Sequence, residues 1–266
     1  MIPSDNYGCL EFDNSDELIE SLKRNGFCIV DSGYDEYEIQ AFQNDFAKCL
    51  VEYRDEFGAE YLKSCDEFYS IRLPLRFKEY GFLKLATNND LLNLISNIIP
   101  GRFLLNQQNG VINPSRDSYN QGKWHRDLPY QHFVSSRPLA INALYCVDDF
   151  TKENGATFVL PGSHLFEQFP SASYIERNAV QIEAKAGHFV VLDCMLYHSG
   201  GKNHTPYDRR GVNHVYTIPL LRPQIDIPAS LGFDFESDVK TKTLLGYEDY
   251  SPLAVKDYIR DRSKKK

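Results

Sequence analysis

Trp124-His125-Arg126-Asp127 is the stretch on which the reading of this chain turns. In an extended segment successive side chains alternate between faces, so His125 and Asp127 share one side and Arg126 takes the other. An imidazole nitrogen beside a carboxylate oxygen supplies two of the three protein ligands of a facial site that holds Fe(II) and leaves positions open. The third ligand is expected on a neighbouring strand. His198, in Leu196-Tyr197-His198-Ser199-Gly200-Gly201, stands in the right order. Eleven residues further, Arg209 offers a planar guanidinium suited to a bidentate grip on a carboxylate. A His-x-Asp tripeptide alone says little in a chain with 7 histidines; the ordered set of four residues says much more.

Outward from that stretch the chain reads as strands separated by turns. Strands are expected over Arg102–Gln108, Lys123–Asp127, Leu139–Val147, Ala156–Leu160, Ala179–Glu183, His188–Asp193, Leu196–Ser199 and Gly211–Pro219. Asn113-Pro114, Glu153-Asn154-Gly155, Pro161-Gly162-Ser163, Gly200-Gly201 and Thr205-Pro206 supply the turn chemistry between them. Eight short strands at this spacing suit a two-sheet jelly roll. The N-terminal third differs. Leu18, Ile19 and Leu22 mark a helix over Asp16–Arg24 that Gly26 stops, and Phe27–Val30 is a short strand. Ile39, Phe42, Phe46 and Leu50 keep helical spacing along Asp35 to about Ser64, and another helix is expected from Asn89 to Ile99. A looser helix is expected from Leu244 to Arg262. With no repeat or linker in view, residues 1–266 are read as one domain: a helical part to about 100, a β core to about 220, and a tail.

Composition narrows the function classes. Hydrophobic residues make up 42% and charged residues 25%, ordinary for a soluble globular protein. A net charge of −8 argues against nucleic-acid or anionic-membrane partners, and the Lys264-Lys265-Lys266 run reads as a solvated tail. Six scattered cysteines (Cys9, Cys28, Cys49, Cys65, Cys146, Cys194) form no C-x-x-C pair and read as reduced thiols. No apolar run is long enough to span a membrane, and Met1-Ile2-Pro3-Ser4-Asp5 has no charged and apolar leader, so cytoplasm is the expected location. The oligomeric state is not legible.

Beyond the triad, the chain resembles the phytanoyl-CoA dioxygenase family from roughly Asn106 to Pro219. The resemblance rests on Trp124-His125-Arg126-Asp127, Glu153-Asn154-Gly155-Ala156-Thr157, Leu160-Pro161-Gly162-Ser163-His164, Leu192-Asp193, and His198-Ser199-Gly200-Gly201-Lys202-Asn203 through Arg209-Arg210. It implies a double-stranded β-helix, cupin-like and buttressed by the N-terminal helices. It further implies Fe(II), O2 and the cosubstrate 2-oxoglutarate, and hydroxylation of a small-molecule or biosynthetic-intermediate substrate with succinate and CO2 as coproducts. Residue by residue, it makes His125, Asp127 and His198 the iron ligands and Arg209 the partner of the cosubstrate's distal carboxylate. Arg210 is the runner-up, since alternation lets only one of the two face inward. Gln108 resembles a strand glutamine that helps hold the cosubstrate, although Gln107 has the opposite parity. Two positions depart from the pattern. Gly200 stands where members often carry a serine, with Ser199 one residue early, and His188 follows Gly187 where an acid is common. The presence of Asp127 argues against a halogenase.

Other readings compete. A cupin-like isomerase or hydrolase without 2-oxoglutarate would share the jelly roll, but Arg209 argues against it. A binding protein with a degenerate site is disfavoured by the intact triad. Desaturation or ring formation cannot be separated from hydroxylation. His164 is expected to fix a turn, Trp124 to pack away from the ligands, and Asn154-Gly155 and Gly200-Gly201 to shape turns. His132, His188, His204 and His214 read as surface or core histidines, although the position of His214 two residues from Val212 also suits the lining of the barrel. On the substrate side, Tyr130, Gln131, His132 and Arg137 belong to a loop after the ligand stretch, and of Asn142 and Tyr145 one is expected to face the barrel.

Overall fold

Acidic Asp16 and Glu17 in the first turn and basic Lys23 and Arg24 in the last suit the dipole of helix α1 (Ser15–Asn25), and Gly26 at φ +85° ends it. The computed structural model describes residues 15–117, 122–128, 133–235, 238–249 and 251–263; Cys9, Tyr130, Gln131, His132 and the terminal lysines lie outside them. Strand β1 (Phe27–Asp31) follows. Helix α2 (Glu36–Phe57) starts at a capping box, in which the Asp35 carboxylate accepts from Glu38 N and Glu38 accepts from Asp35 N. The long helix expected to run to about Ser64 breaks at Gly58, whose φ of +81° leaves the helical region, and α3 (Ala59–Ser64) restarts beyond it. Helices α4 (Phe82–Ala86) and α5 (Asn89–Ile98) complete the N-terminal part, the latter capped by the Asn88 side chain.

The remaining strands are β2 (Ser70–Arg72), β3 (Leu104–Asn113), β4 (Ala140–Cys146), β5 (Phe158–Val159), β6 (Val180–Gln181), β7 (His188–Asp193), β8 (His198–Ser199) and β9 (Arg209–Thr217). They form an antiparallel sheet in the order β1-β7-β4-β9-β3-β2 and a small antiparallel sheet in the order β6-β5-β8. The sequence reading omits β2, which has only three residues, and overextends β5 and β6. The expected strand Lys123–Asp127 is reduced to one isolated bridge, His125 opposite His198. Of the expected Leu244–Arg262 helix only Val255–Ser263 forms, and a separate helix, Val239–Leu244, ends where the expected one begins.

Alternation gives the large sheet two different faces. On one, Val30, Ile112, Ala143, Tyr145, Phe189, Val191, Val212 and Tyr216 pack with Phe42, Phe46 and Cys49 of α2 and Leu91, Ile95 and Ile98 of α5. On the other, Phe27, Ile29, Val190 and Leu192 join Val159, Ile182 and Leu196 in a separate core between the sheets. The helices therefore seal one face, and the small sheet covers part of the other. One irregularity sets which residues of β3 face where. The pairing with β9 shifts between Leu105, opposite Tyr216, and Gln107, opposite Val215, so Asn106 is an extra residue and the alternation reverses beyond it.

Candidate metal centre

His198 lies on β8 opposite Val159, a residue of the core between the sheets, so its ring points into that space. His125 is brought to it by the isolated bridge, with His125 N donating to His198 O (2.9 Å) and His198 N to His125 O (3.0 Å). Two residues on, Asp127 N donates to Cys194 O (2.9 Å), which ties this segment to the exit of β7. The donor atoms of His125, Asp127 and His198 lie within 4.8 Å of one another. Asp127 Oδ1 is 3.7 Å from His125 Nε2 and 3.5 Å from His198 Nε2.

Both imidazoles are oriented by the chain that carries them. His125 Nδ1 is 2.7 Å from Lys123 O and His198 Nδ1 is 2.9 Å from Leu196 O. A carbonyl only accepts, so each Nδ1 carries the proton and each Nε2 presents a lone pair to the centre. Burial, and after it the neighbouring His198, hold His125 below its ordinary pKa and so favour the neutral ring a metal needs. Exposure differs across the group: the His198 side chain is 8% exposed and the His125 side chain 25%, so the His125 side is the more open to solvent. Two neutral imidazole nitrogens and one carboxylate oxygen on one side of a small space are a donor set that fits Fe(II) with positions left open.

The carboxylate is also held from behind. Asn142 Nδ2 donates to Asp127 Oδ2 at 2.7 Å, and the buried Cys194 thiol lies near the same carboxylate. Burial, foremost, keeps that thiol protonated. Of the two β4 candidates, Asn142 is the one on the inter-sheet side. Tyr145 lies among Tyr34, Phe42 and Phe189 under the helices.

Arg209 and Arg210 separate as alternation requires. Arg210 faces the helices, where it forms a two-pronged pair with Asp148 (2.6 and 2.9 Å) and donates to Gln43 O (3.1 Å). Arg209 faces the inter-sheet side, is buried, and stacks its guanidinium on Phe150 at 3.8 Å. Gln108 does not fit the cosubstrate contact expected of it. Its side chain lies on the helix face, accepting from Leu75 N (2.8 Å) and donating to Phe82 O (2.7 Å) and His214 Nε2 (2.9 Å). The bulge at Asn106 is the cause, since it puts Gln107 on the inter-sheet side and turns Gln108 away. His214 lies on that same helix face and does not line the inter-sheet space. Ser199 is buried on β8, Arg137 N donates to Ser135 Oγ at 3.4 Å, and His164 packs under Gly26 with its Nε2 on Lys23 O.

Alternation along the ligand stretch shows only that Arg126 turns away from the ligands. It is almost wholly buried, donating to the carbonyls of Ser163 (3.2 Å), Phe166 (2.6 Å) and Glu167 (3.1 Å), so it anchors the segment after β5 directly behind the ligand stretch. Nothing in the sequence pattern signals this, because its acceptors are main-chain atoms about forty residues away. A cavity of about 290 Å³ lined by Leu160, Pro161, Phe166, Phe169 and Tyr174 adjoins that segment. None of the three candidate ligands lines it, so it is separate from the candidate metal centre.

The sequence model of phytanoyl-CoA dioxygenase (PhyH) matches residues 22–211. The chain is 28% identical to "Uncharacterized protein Rv1501" of Mycobacterium tuberculosis over 257 residues, 94% of this chain and 93% of that one. It is 34% identical to "Iron/alpha-ketoglutarate-dependent dioxygenase ausU" of Aspergillus calidoustus over 130 residues, 46% of this chain and 43% of that one. Among solved structures, EctD from S. alaskensis with 2-oxoglutarate and 5-hydroxyectoine superposes with a TM-score of 0.66 at 20% identity, over 82% of this chain and 81% of that one.

Proposed function

Because the chain belongs to the phytanoyl-CoA dioxygenase family, with Fe(II) and 2-oxoglutarate as its cofactors, we propose that it hydroxylates a small-molecule or biosynthetic-intermediate substrate and releases succinate and CO2. The two sheets are the halves of a double-stranded β-helix, a single domain with the helices as its buttress. His125, Asp127 and His198 are the iron ligands. The observation that carries this reading is the convergence of two Nε2 lone pairs and Asp127 Oδ1, each ring locked by an Nδ1 bond to a carbonyl two residues back.

Bound Fe(II) would supply the activation of O2 and the oxidising power; the protein's part is placement. Arg209, buried on the inter-sheet face, fixes the far carboxylate of 2-oxoglutarate with a charge that does not titrate. Arg210 is committed to Asp148 and leaves that task to its neighbour. The apolar core between the sheets keeps bulk water from the buried side of the centre, while the more exposed His125 marks the side from which substrate arrives.

Anaerobic addition of Fe(II) and then 2-oxoglutarate to the apo protein should produce the weak visible charge-transfer band of the chelate. The band should be absent in His198→Ala. A substrate screen would then follow succinate. Iron uptake with no band on adding 2-oxoglutarate would overturn the proposal.

A further inference from the structure

Asn142 lies inside β4, paired on one side with Leu192 of β7 and on the other with Val215 of β9. It is 4% exposed. Its Nδ2 reaches Asp127 Oδ2 at 2.7 Å, while Asp127 Oδ1 is the oxygen turned toward both histidine Nε2 atoms. The amide orientation follows from chemistry, since the reverse would set Asn142 Oδ1 against a carboxylate oxygen. In the orientation observed, Oδ1 is buried with no hydrogen-bond partner among the described residues. An amide that leaves its acceptor unsatisfied in a core contributes little to stability, and a leucine of similar volume would remove that burden. The residue is therefore explained by its donor, whose partner among the described residues is Asp127.

We infer that Asn142 is a positioning residue that holds Asp127 to a single metal-facing oxygen. With Oδ2 engaged, the carboxylate cannot rotate to offer both oxygens, and the coordination position a second oxygen would fill stays available. Outer partners of this kind set the orientation of a ligand and the affinity of the site. This rests on the ligand assignment proposed above.

The test is Asn142→Leu, with two readouts besides turnover. Anaerobic titration should show Fe(II) bound roughly 10- to 100-fold more weakly than by the wild type, the range for loss of an outer-shell partner. Co(II) added to the apo protein should give a d–d absorption spectrum different from wild type, reporting the changed coordination, while the apo melting temperature stays nearly unchanged. Unchanged Fe(II) affinity and Co(II) spectrum in a folded variant would overturn the inference alone. Failure of the wild type to take up either metal would overturn it together with the proposed function. If Asn142→Leu does not fold, Asn142→Ser decides by the same readouts, since its shorter hydroxyl does not span the 2.7 Å contact the amide makes.

Discussion

His125 and His198 face each other across a single antiparallel bridge, exchanging two main-chain hydrogen bonds and setting their ring centroids 4.4 Å apart. Their separation is thus set by backbone, not by side-chain packing. The bridge survives truncation of either ring, because no part of it is made by the imidazoles. His125→Ala, Asp127→Ala and His198→Ala should each remain folded while losing Fe(II) affinity by more than the roughly 100-fold that outer-shell changes cost. Circular dichroism and anaerobic metal titration on the same samples check both halves of the statement.

The neighbouring arginines should give opposite phenotypes. Arg209→Ala should raise the half-saturating 2-oxoglutarate concentration roughly 10- to 100-fold, as expected for losing a charge-assisted bidentate contact, with iron binding retained. Arg210→Ala should leave that concentration unchanged and lower stability by about 1 kcal/mol, since its pair with Asp148 is only about a quarter exposed but still near the surface. Succinate formation against 2-oxoglutarate concentration, with denaturant unfolding of both variants, separates the two.

Stability should fall in mild acid because of His214. Its Nδ1 donates to Ala143 O (3.1 Å), so Nε2 accepts from Gln108, and burial lowers its pKa from 6.5 to about 4. A depressed histidine means that the unfolded chain binds the extra proton first. The contribution is present above pH 6.5 and is lost as pH falls toward 4, with an upper size of about 3 kcal/mol. Denaturant unfolding between pH 7 and 4 should show this slope in the wild type, and His214→Leu should flatten it.

Gly155→Ala should destabilise the fold far from the helices. Gly155 has φ +78°, and a Cβ there would sit 2.4 Å from Gly201 O. Asn113 Nδ2 already donates to the carbonyls of both Gly155 (3.1 Å) and Gly201 (2.8 Å), so neither the entry to β5 nor the exit of β8 can move aside without losing that clamp. A cost of about 2–3 kcal/mol, or roughly 5–10 °C in melting temperature, is expected by thermal denaturation.

Much of the architecture is legible in local patterns. The helix Asn89–Ile98 is found within a residue because its apolar spacing, cap and stop agree. Strand β7 is found at its stated bounds because it is a continuous apolar run between turns. The break at Gly58 is missed because apolar spacing continues through it, and a left-handed φ leaves no trace in that spacing. Strand β2 is missed because three residues are too few to show a period.

The ordered residues His125, Asp127, His198 and Arg209 were enough, by themselves, to indicate the kind of chemistry, because ligand type and ligand order are properties of the chain. Which neighbours serve those residues was decided only by the tertiary structure. A one-residue bulge at Asn106 turned Gln108 to the helix face, and pairing between distant strands set Asn142 behind Asp127 and Arg126 beneath the 163–167 carbonyls. The physical reason is that a side chain's face in a sheet depends on register, and one extra residue reverses it for every position that follows.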